Sequence, residues 1–478
     1  MPSRSSSEDD EKESSVIGRP LFHPPVLWRD WDEDAADSEA KYWELFTDLL
    51  MVAAATSMVD NFKESPNLHG LVEFALTYSA VANGWLYYTP HYTSRFLEPS
   101  LVHSVVLFFF VFGMAASIVN AGFETAVGFS ISVVIQRLAL LAIMAPVPIF
   151  IPRAKAYTWA LCRNVIFSIV FFGLVAVLGE GSWTVVMWTG AFIADNSLEF
   201  FMVRALPGRL MVPINVEHTI DRLGVMVLVM LGETVISSTI TYREYRHKEH
   251  LDDKDDEAPA IPQQYYVVLF LAFLLIYMFC LIYFNMQPPR HFQGLRRNRW
   301  AGSLVMISNK LLGCTLLTMG ATIKLSIEAV VEERGQLSLF TARLMGCSVG
   351  TSLLLMYFQR IAHYGGRVPG PNHPDPIRLL FHVWWVTFAI ACLLPFLFLD
   401  TRHSVQALAI YSGILMGFCL VDNVFSHYLQ EYVPKTPEEL LVMEDHHGDS
   451  SPLTAEAVDL HSEYQSIDNV TNRQDEDR

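Results

Sequence analysis

The chain of 478 residues is 52% hydrophobic and only 17% charged, with a mean hydropathy of +0.29, values that exclude an ordinary soluble domain and point to a polytopic membrane protein. Its formal charge of −17 sits at the ends: residues 1–41 hold eleven acidic against five basic side chains and residues 431–478 thirteen against three, which leaves the middle near −1. A near-neutral middle excludes the basic surface that nucleic acid requires, and the acidic, Ser-rich tails bury too little apolar area to fold, so both are expected to be disordered.

No basic n-region with a short apolar core opens the chain, so cleavage is not expected and the first span must direct its own insertion. A bilayer core of about 30 Å needs roughly 20 apolar residues in a helix. Runs of that length recur from residue 44 to about 428, with approximate centres at 52, 79, 110, 136, 168, 192, 231, 275, 312, 351, 387 and 414. The expected fold is therefore all-α, a transmembrane bundle of about 12 spans (10–12) over residues 42–430.

Ionisable groups inside a span cost at least about 2.5 to 3.5 kcal/mol each at the bilayer centre, so they persist when paired, when facing a bundle interior or when lining a water-filled path. The first span, "WELFTDLLMVAAATSMVDN", places Glu44 and Asp48 one helical turn apart on one face. Glu44 can also be read as a first-turn acid favoured by the helix dipole at a wet interface. In the fourth span Arg137 lies too deep to snorkel and needs an anionic partner; buried ion pairs that only fix packing are the competing reading there. The sixth repeats the i, i+4 acid spacing with Asp195 and Glu199. The seventh, "RLGVMVLVMLGETVISS", sets Glu233 directly after Gly232, where glycine would relax packing or permit a break. After it, "YREYRHKEHLDDKDDEAPA" reads as a charged linker, and the ninth span carries Lys310.

The remaining motifs favour structure over chemistry. "MGCSVG" at 345–350 matches G-x-S-x-G around Ser348, but no strand precedes it and Gly346 and Gly350 have a helix-packing spacing. His382 reads as a hydrogen-bonded core histidine, and the six cysteines lie in apolar runs without paired or metal-ligand spacing. No catalytic constellation, metal set or cofactor motif is found, so no enzyme activity and no cofactor are expected. Lysine and arginine in the short loops favour both termini on the cytosolic side, through Arg95, Arg153, Lys155, Arg204, Arg209, Arg222, Arg290, Arg296, Arg297, Arg299, Arg360, Arg367 and Arg378.

Two stretches in order resemble one family. "ELFTDLLMVAA" (Glu44 to Ala54) is similar to the opening signature of the bacterial low-temperature-requirement A (LtrA) family, and "EHTIDRLGVMVLVMLGETVISS" (Glu217 to Ser238) is similar to its later block ending in L-G-E-S. Between them, "WLYYTPHYTSRF" resembles a Trp-rich block, and Arg137 matches the arginine of the fourth span. The resemblance is firm over residues 43–240 and compositional from there to about 430. It implies a multi-span membrane protein of unsettled activity, with family positions at Glu44, Asp48, Arg137, His218, Arg222, Gly224, Gly232 and Glu233; the long acidic tails suggest a eukaryotic member. Asp60 departs from the family where a histidine closes the first span, Asp221 replaces a Glu and Thr234 a Ser.

The expected polar core therefore comprises Glu44, Asp48, Arg137, Asp195, Glu199, His218, Arg222, Gly232 and Glu233, with the two carboxylates of the first span meeting Arg137 and Arg222. The leading function is a transporter or ion-conducting protein that binds an ion, a proton or a polar solute on these carboxylates. The alternative is a membrane scaffold or sensor whose pairs hold the helices while the acidic tails recruit partners. The bilayer is the partner the composition demands.

Overall fold

The structure is a computed structural model. It describes residues 24–27, 42–97, 100–207, 210–252, 263–288, 293–332, 335–364, 375–392 and 403–429.

The chain forms the long helices α1 (Tyr42–Glu64), α2 (Leu68–Tyr88), α3 (Leu101–Val119), α4 (Ala126–Met144), α5 (Lys155–Leu178), α6 (Thr184–Ala205), α7 (Val216–Asp252), α8 (Gln263–Asn285), α9 (Arg299–Glu332), α10 (Leu339–Tyr364), α11 (Asp375–Ala391) and α12 (Ser404–Leu429). Every run expected from the sequence lies in one of them. Side-chain oxygens start several: Asn67 accepts from Gly70 N at 3.0 Å, Ser100 from His103 N at 3.1 Å and Asn215 from His218 N at 3.1 Å, each satisfying a donor that the first turn leaves open. Gly179 ends α5 at a φ of 86°, a conformation that favours glycine. The described part of the stretch read as a linker after the seventh span is helical instead, since α7 runs on to Asp252.

Among the described residues, nine helices are long and apolar enough to cross a membrane. α2, α6 and α11 do not meet that measure. For α2 the reason is its position: fifteen of its residues are buried, and it packs against α1, α4, α6 and α9, so protein rather than lipid surrounds it. α6 carries Asp195, which pairs inside the bundle, and α11 is short.

Packing follows two arcs that share a seam. α3, α4, α5 and α6 stack in sequence around α2, while α8, α10, α11 and α12 gather on the far side of α9. α1, α7 and α9 pack on one another between the arcs. α1 shows the reversal expected of a membrane protein: Trp43 and Leu49 are 46% and 66% exposed, whereas Glu44 is 1% exposed. Apolar side chains face outward and charge faces inward, the arrangement that lipid rewards and water does not. One short antiparallel pairing joins Val26–Leu27 to Phe96–Leu97, so a piece of the acidic first segment docks on the bundle. Residues 1–23, 28–41 and 430–478 lie outside the described residues.

Candidate intramembrane polar core

α1 and α7 run side by side in the same direction, and each offers two polar residues one turn apart. Asn215 caps α7 and sets His218 in its first turn, with Arg222 a turn later. These meet the acids of α1 in register. His218 Nε2 lies 3.4 Å from Glu44 Oε1, and Arg222 forms an ion pair with Asp48. Trp85 Nε1–H of α2 donates to the other oxygen of Asp48 at 2.9 Å, and Thr93 hydrogen-bonds Glu44. Thr93 belongs to a π-helical turn, Thr89–Thr93, that prolongs α2 past its last α-helical residue and brings the chain back over the start of α1. Asn215 N–H donates to Ser94 O at 3.0 Å, tying this turn to the start of α7. All four ionisable groups are buried.

Arg137 does not reach the acids of α1. Its guanidinium pairs with Asp195 of α6 at 3.3 Å and donates to Ala80 O of α2 at 2.8 Å. Asp195 also accepts from Ser168 and Tyr87 hydroxyls, both at 3.3 Å, and from Asn83 Nδ2 at 3.4 Å. The expected pairing of Glu44 and Asp48 with Arg137 is thus replaced by two separate pairs. The physical reason is α2, which stands between α1 and α4 and shows Trp85 to Asp48 while showing Asn83 and Tyr87 to Asp195. Gly84 makes room: a Cβ there would lie 2.5 Å from the Gln136 amide and 2.6 Å from an Arg137 nitrogen. Lys310 of α9 adds a second cation, donating to Asn83 Oδ1 at 3.0 Å and also to Asn196.

The third region lies at the other end of the seam. Glu233 is wholly buried; Ser237 hydrogen-bonds its Oε1, and its Oε2 has no hydrogen-bond partner among the described residues. Across from it, Lys324 of α9 forms an ion pair with Asp60 of α1, and both act electrostatically on Glu233. The step from Asp48 to Asp60 along α1 is about 18 Å at 1.5 Å per residue, so this region is separate from the first two. α7 is unbroken at Gly232, and a Cβ there would meet nothing within 4 Å, so the expected helix interruption or close packing is absent.

Several readings of the sequence find a place. His382 Nδ1 is hydrogen-bonded to the Tyr357 hydroxyl at 2.7 Å, and Gly346 lies against Cys392 O and Tyr411, as a helix-packing glycine does. Arg95, Arg222 and Arg360, counted as loop charges, are buried instead. Arg360 sits over Phe381 at 4.7 Å and pairs with Asp422 at 3.4 Å. The side chain of Glu199 lies outside the described residues. Sequence reasoning missed Trp85, Asn83, Tyr87, Ser168, Ser237 and Lys324 as partners. Lys324 alone carried a signal, a lysine within an apolar run, since polar uncharged residues are ordinary in helices.

The family described as bacterial low temperature requirement A protein (LtrA) matches residues 39–419, most of the chain and well beyond the two signature stretches. No curated protein and no solved structure matches the chain.

Proposed function

The chain belongs to the bacterial low temperature requirement A (LtrA) family, and from that premise we propose that this integral membrane protein is a transporter or ion-conducting protein working through its intramembrane carboxylates. The observation that carries the reading is Glu233, a wholly buried acid on an apolar membrane helix with one carboxylate oxygen that no described group satisfies. An acid kept so costs stability, and a function is a reason to keep it. The test is flux or current from purified protein in liposomes over a panel of ions and pH values. Activity on any member supports transport, and a null result across the panel rejects it.

A second reading has its own observation. Arg137–Asp195 and Arg222–Asp48 are buried, mutually satisfied pairs of the kind that holds helices together without any substrate. On that reading the protein is a scaffold or sensor, and the acidic tails recruit its partners.

The twelve-span count is part of the same proposal. α2 is 21 residues long, enough for about 31 Å, and packs antiparallel to α1 through the short turn at 65–67. Counting it requires α6 as well, because α1 and α7 point the same way. With α11 as the twelfth span both termini are on one side, which Arg153, Lys155, Arg296, Arg297 and Arg299 make the cytosol. Asn469-Val470-Thr471 is a glycan acceptor on the final segment. Glycosidase treatment should leave the mobility of the protein unchanged, and a glycan at Asn469 would reverse the orientation.

A further inference from the structure

Around Glu233 the geometry assembles two carboxylates, one fixed ammonium and a way out of the bundle. Gly320 of α9 faces the acid so closely that a Cβ there would lie 3.3 Å from Oε2. One turn further along α9, the buried Lys324 reaches across to Asp60 of α1. The Asp60 side chain is 51% exposed and sits four residues before the end of α1. Beyond it Lys63 pairs with Glu328, so a polar mouth rather than lipid meets this edge. α8, another helix packed against α7, holds no charged or histidine side chain between Gln263 and Asn285. Among the described residues the charges that face Glu233 are therefore Lys324 and Asp60, with the Lys63–Glu328 pair a turn outward.

We infer that Glu233 is the proton-exchanging carboxylate of this protein, reached from the end where Asp60 is exposed, with Lys324 as the fixed cation held between the two acids. The inference rests on the transport reading and names its ion. Two carboxylates against one ammonium leave one negative charge to be balanced from outside. A proton does so at Oε2, the oxygen without a partner, and needs no further ligands. A divalent metal would need more: no group of three His, Cys, Asp or Glu that could hold one occurs among the described residues. In the loading step the Oε2–H bond forms as an O–H bond of an entering hydronium breaks. The water left behind retreats past Asp60. Lys324 stays an ammonium throughout and pairs with Asp60; unloading reverses the same bonds, and the ammonium then leans toward the ionised Glu233.

Dicyclohexylcarbodiimide, an apolar reagent that adds to protonated carboxyl groups, tests this on the full chain in phosphatidylcholine liposomes, with the labelled peptide identified by mass spectrometry. Glu233 should be labelled, and the labelling should fall as the pH is raised. Lys324→Gln should label Glu233 about tenfold faster at a given pH, because a neighbouring opposite charge shifts a carboxylate by about one pK unit or more. Asp60→Asn, which leaves the ammonium to Glu233 alone, should slow labelling by about as much. Lys324→Arg should label as the unaltered protein does. Opposite effects of the two substitutions keep the test informative if one variant folds poorly. Glu233 unlabelled at every pH, or labelled at one rate in all four proteins, would overturn the inference. Labelling needs no flux, so the two proposals fail separately: flux with an unlabelled Glu233 removes the proton site alone, and pH-dependent labelling without flux removes transport alone.

Discussion

The Arg137–Asp195 centre and the Glu233 end of the seam are both buried polar regions of one bundle, and they are satisfied to different degrees. At the first, Asp195 takes a guanidinium, two hydroxyls and an amide, and Arg137 divides its donors among Asp195, Ala80 O and Gln136. The Asp48–Arg222 pair is similarly supported, with Trp85 on the free oxygen of the acid. At the second, Glu233 has a single hydroxyl, and the nearby ammonium is engaged by another acid. A fully met buried pair resists any change of charge, because removing either partner strands the other in low dielectric. A partly met acid is the one that can change protonation at modest cost. The comparison separates groups that hold the bundle from a group free to act.

The largest effect should follow from breaking the met pair. Arg137→Leu strands Asp195 and should lower stability by about 3 to 5 kcal/mol, read by denaturant unfolding in micelles. Adding Asp195→Leu should recover part of that loss, whereas adding Asp48→Asn should recover none, since Asp48 belongs to Arg222. Simple additivity of the Arg137 and Asp195 singles would break the pairing. Arg222→Leu should cost about 3 kcal/mol, near the lower end of that range, because Asp48 keeps its Trp85 hydrogen bond and lies near the start of α1.

A smaller effect is expected at the close approach of α2 to Arg137. Gly84→Ala puts a methyl where the Gln136 amide and an Arg137 nitrogen now lie. Those side chains are long, yet both are held by other hydrogen bonds, so overpacking should cost about 1 to 3 kcal/mol. A thermal unfolding midpoint equal to that of the unaltered protein would show the guanidinium is loosely held, and would blur the distinction drawn above.

The sequence displayed much of this. Helix existence was legible because each span is a long apolar run, and the acids stood out because charge in such a run is costly. Register was legible where two i, i+4 pairs could face each other, as Glu44 and Asp48 face His218 and Arg222. Partnership across the bundle was not. Arg137 offered no means of choosing between Asp48 and Asp195, because the choice depends on α2 standing between α1 and α4. Asp60 illustrates the same limit: in sequence it is a departure from the family at the end of the first span, and in the fold it is the partner of Lys324, 264 residues away. Gly232 stands beside Glu233 and at a position of the family signature, yet the open space around it shows that this adjacency carries little packing.

The smallest effect on stability, and the largest on activity, should come from Glu233→Gln. The amide keeps the shape of the side chain and can still accept from Ser237, while the oxygen without a partner becomes an NH2 at most weakly unsatisfied. Removal of a buried charge also relieves desolvation, so the net change should stay within about 1 kcal/mol, the scale of one ordinary hydrogen bond. The variant should therefore fold and reach the membrane in normal amount. If the acid were a structural group like Asp195, that small stability change would be accompanied by unaltered flux in liposomes. If it exchanges a proton, flux should vanish, because glutamine offers no ionised state to which a proton can return. Arg137→Leu with Asp195→Leu provides the matched control: a folded double variant that keeps its flux would show that the met pair only holds the helices, while Glu233 carries the ion.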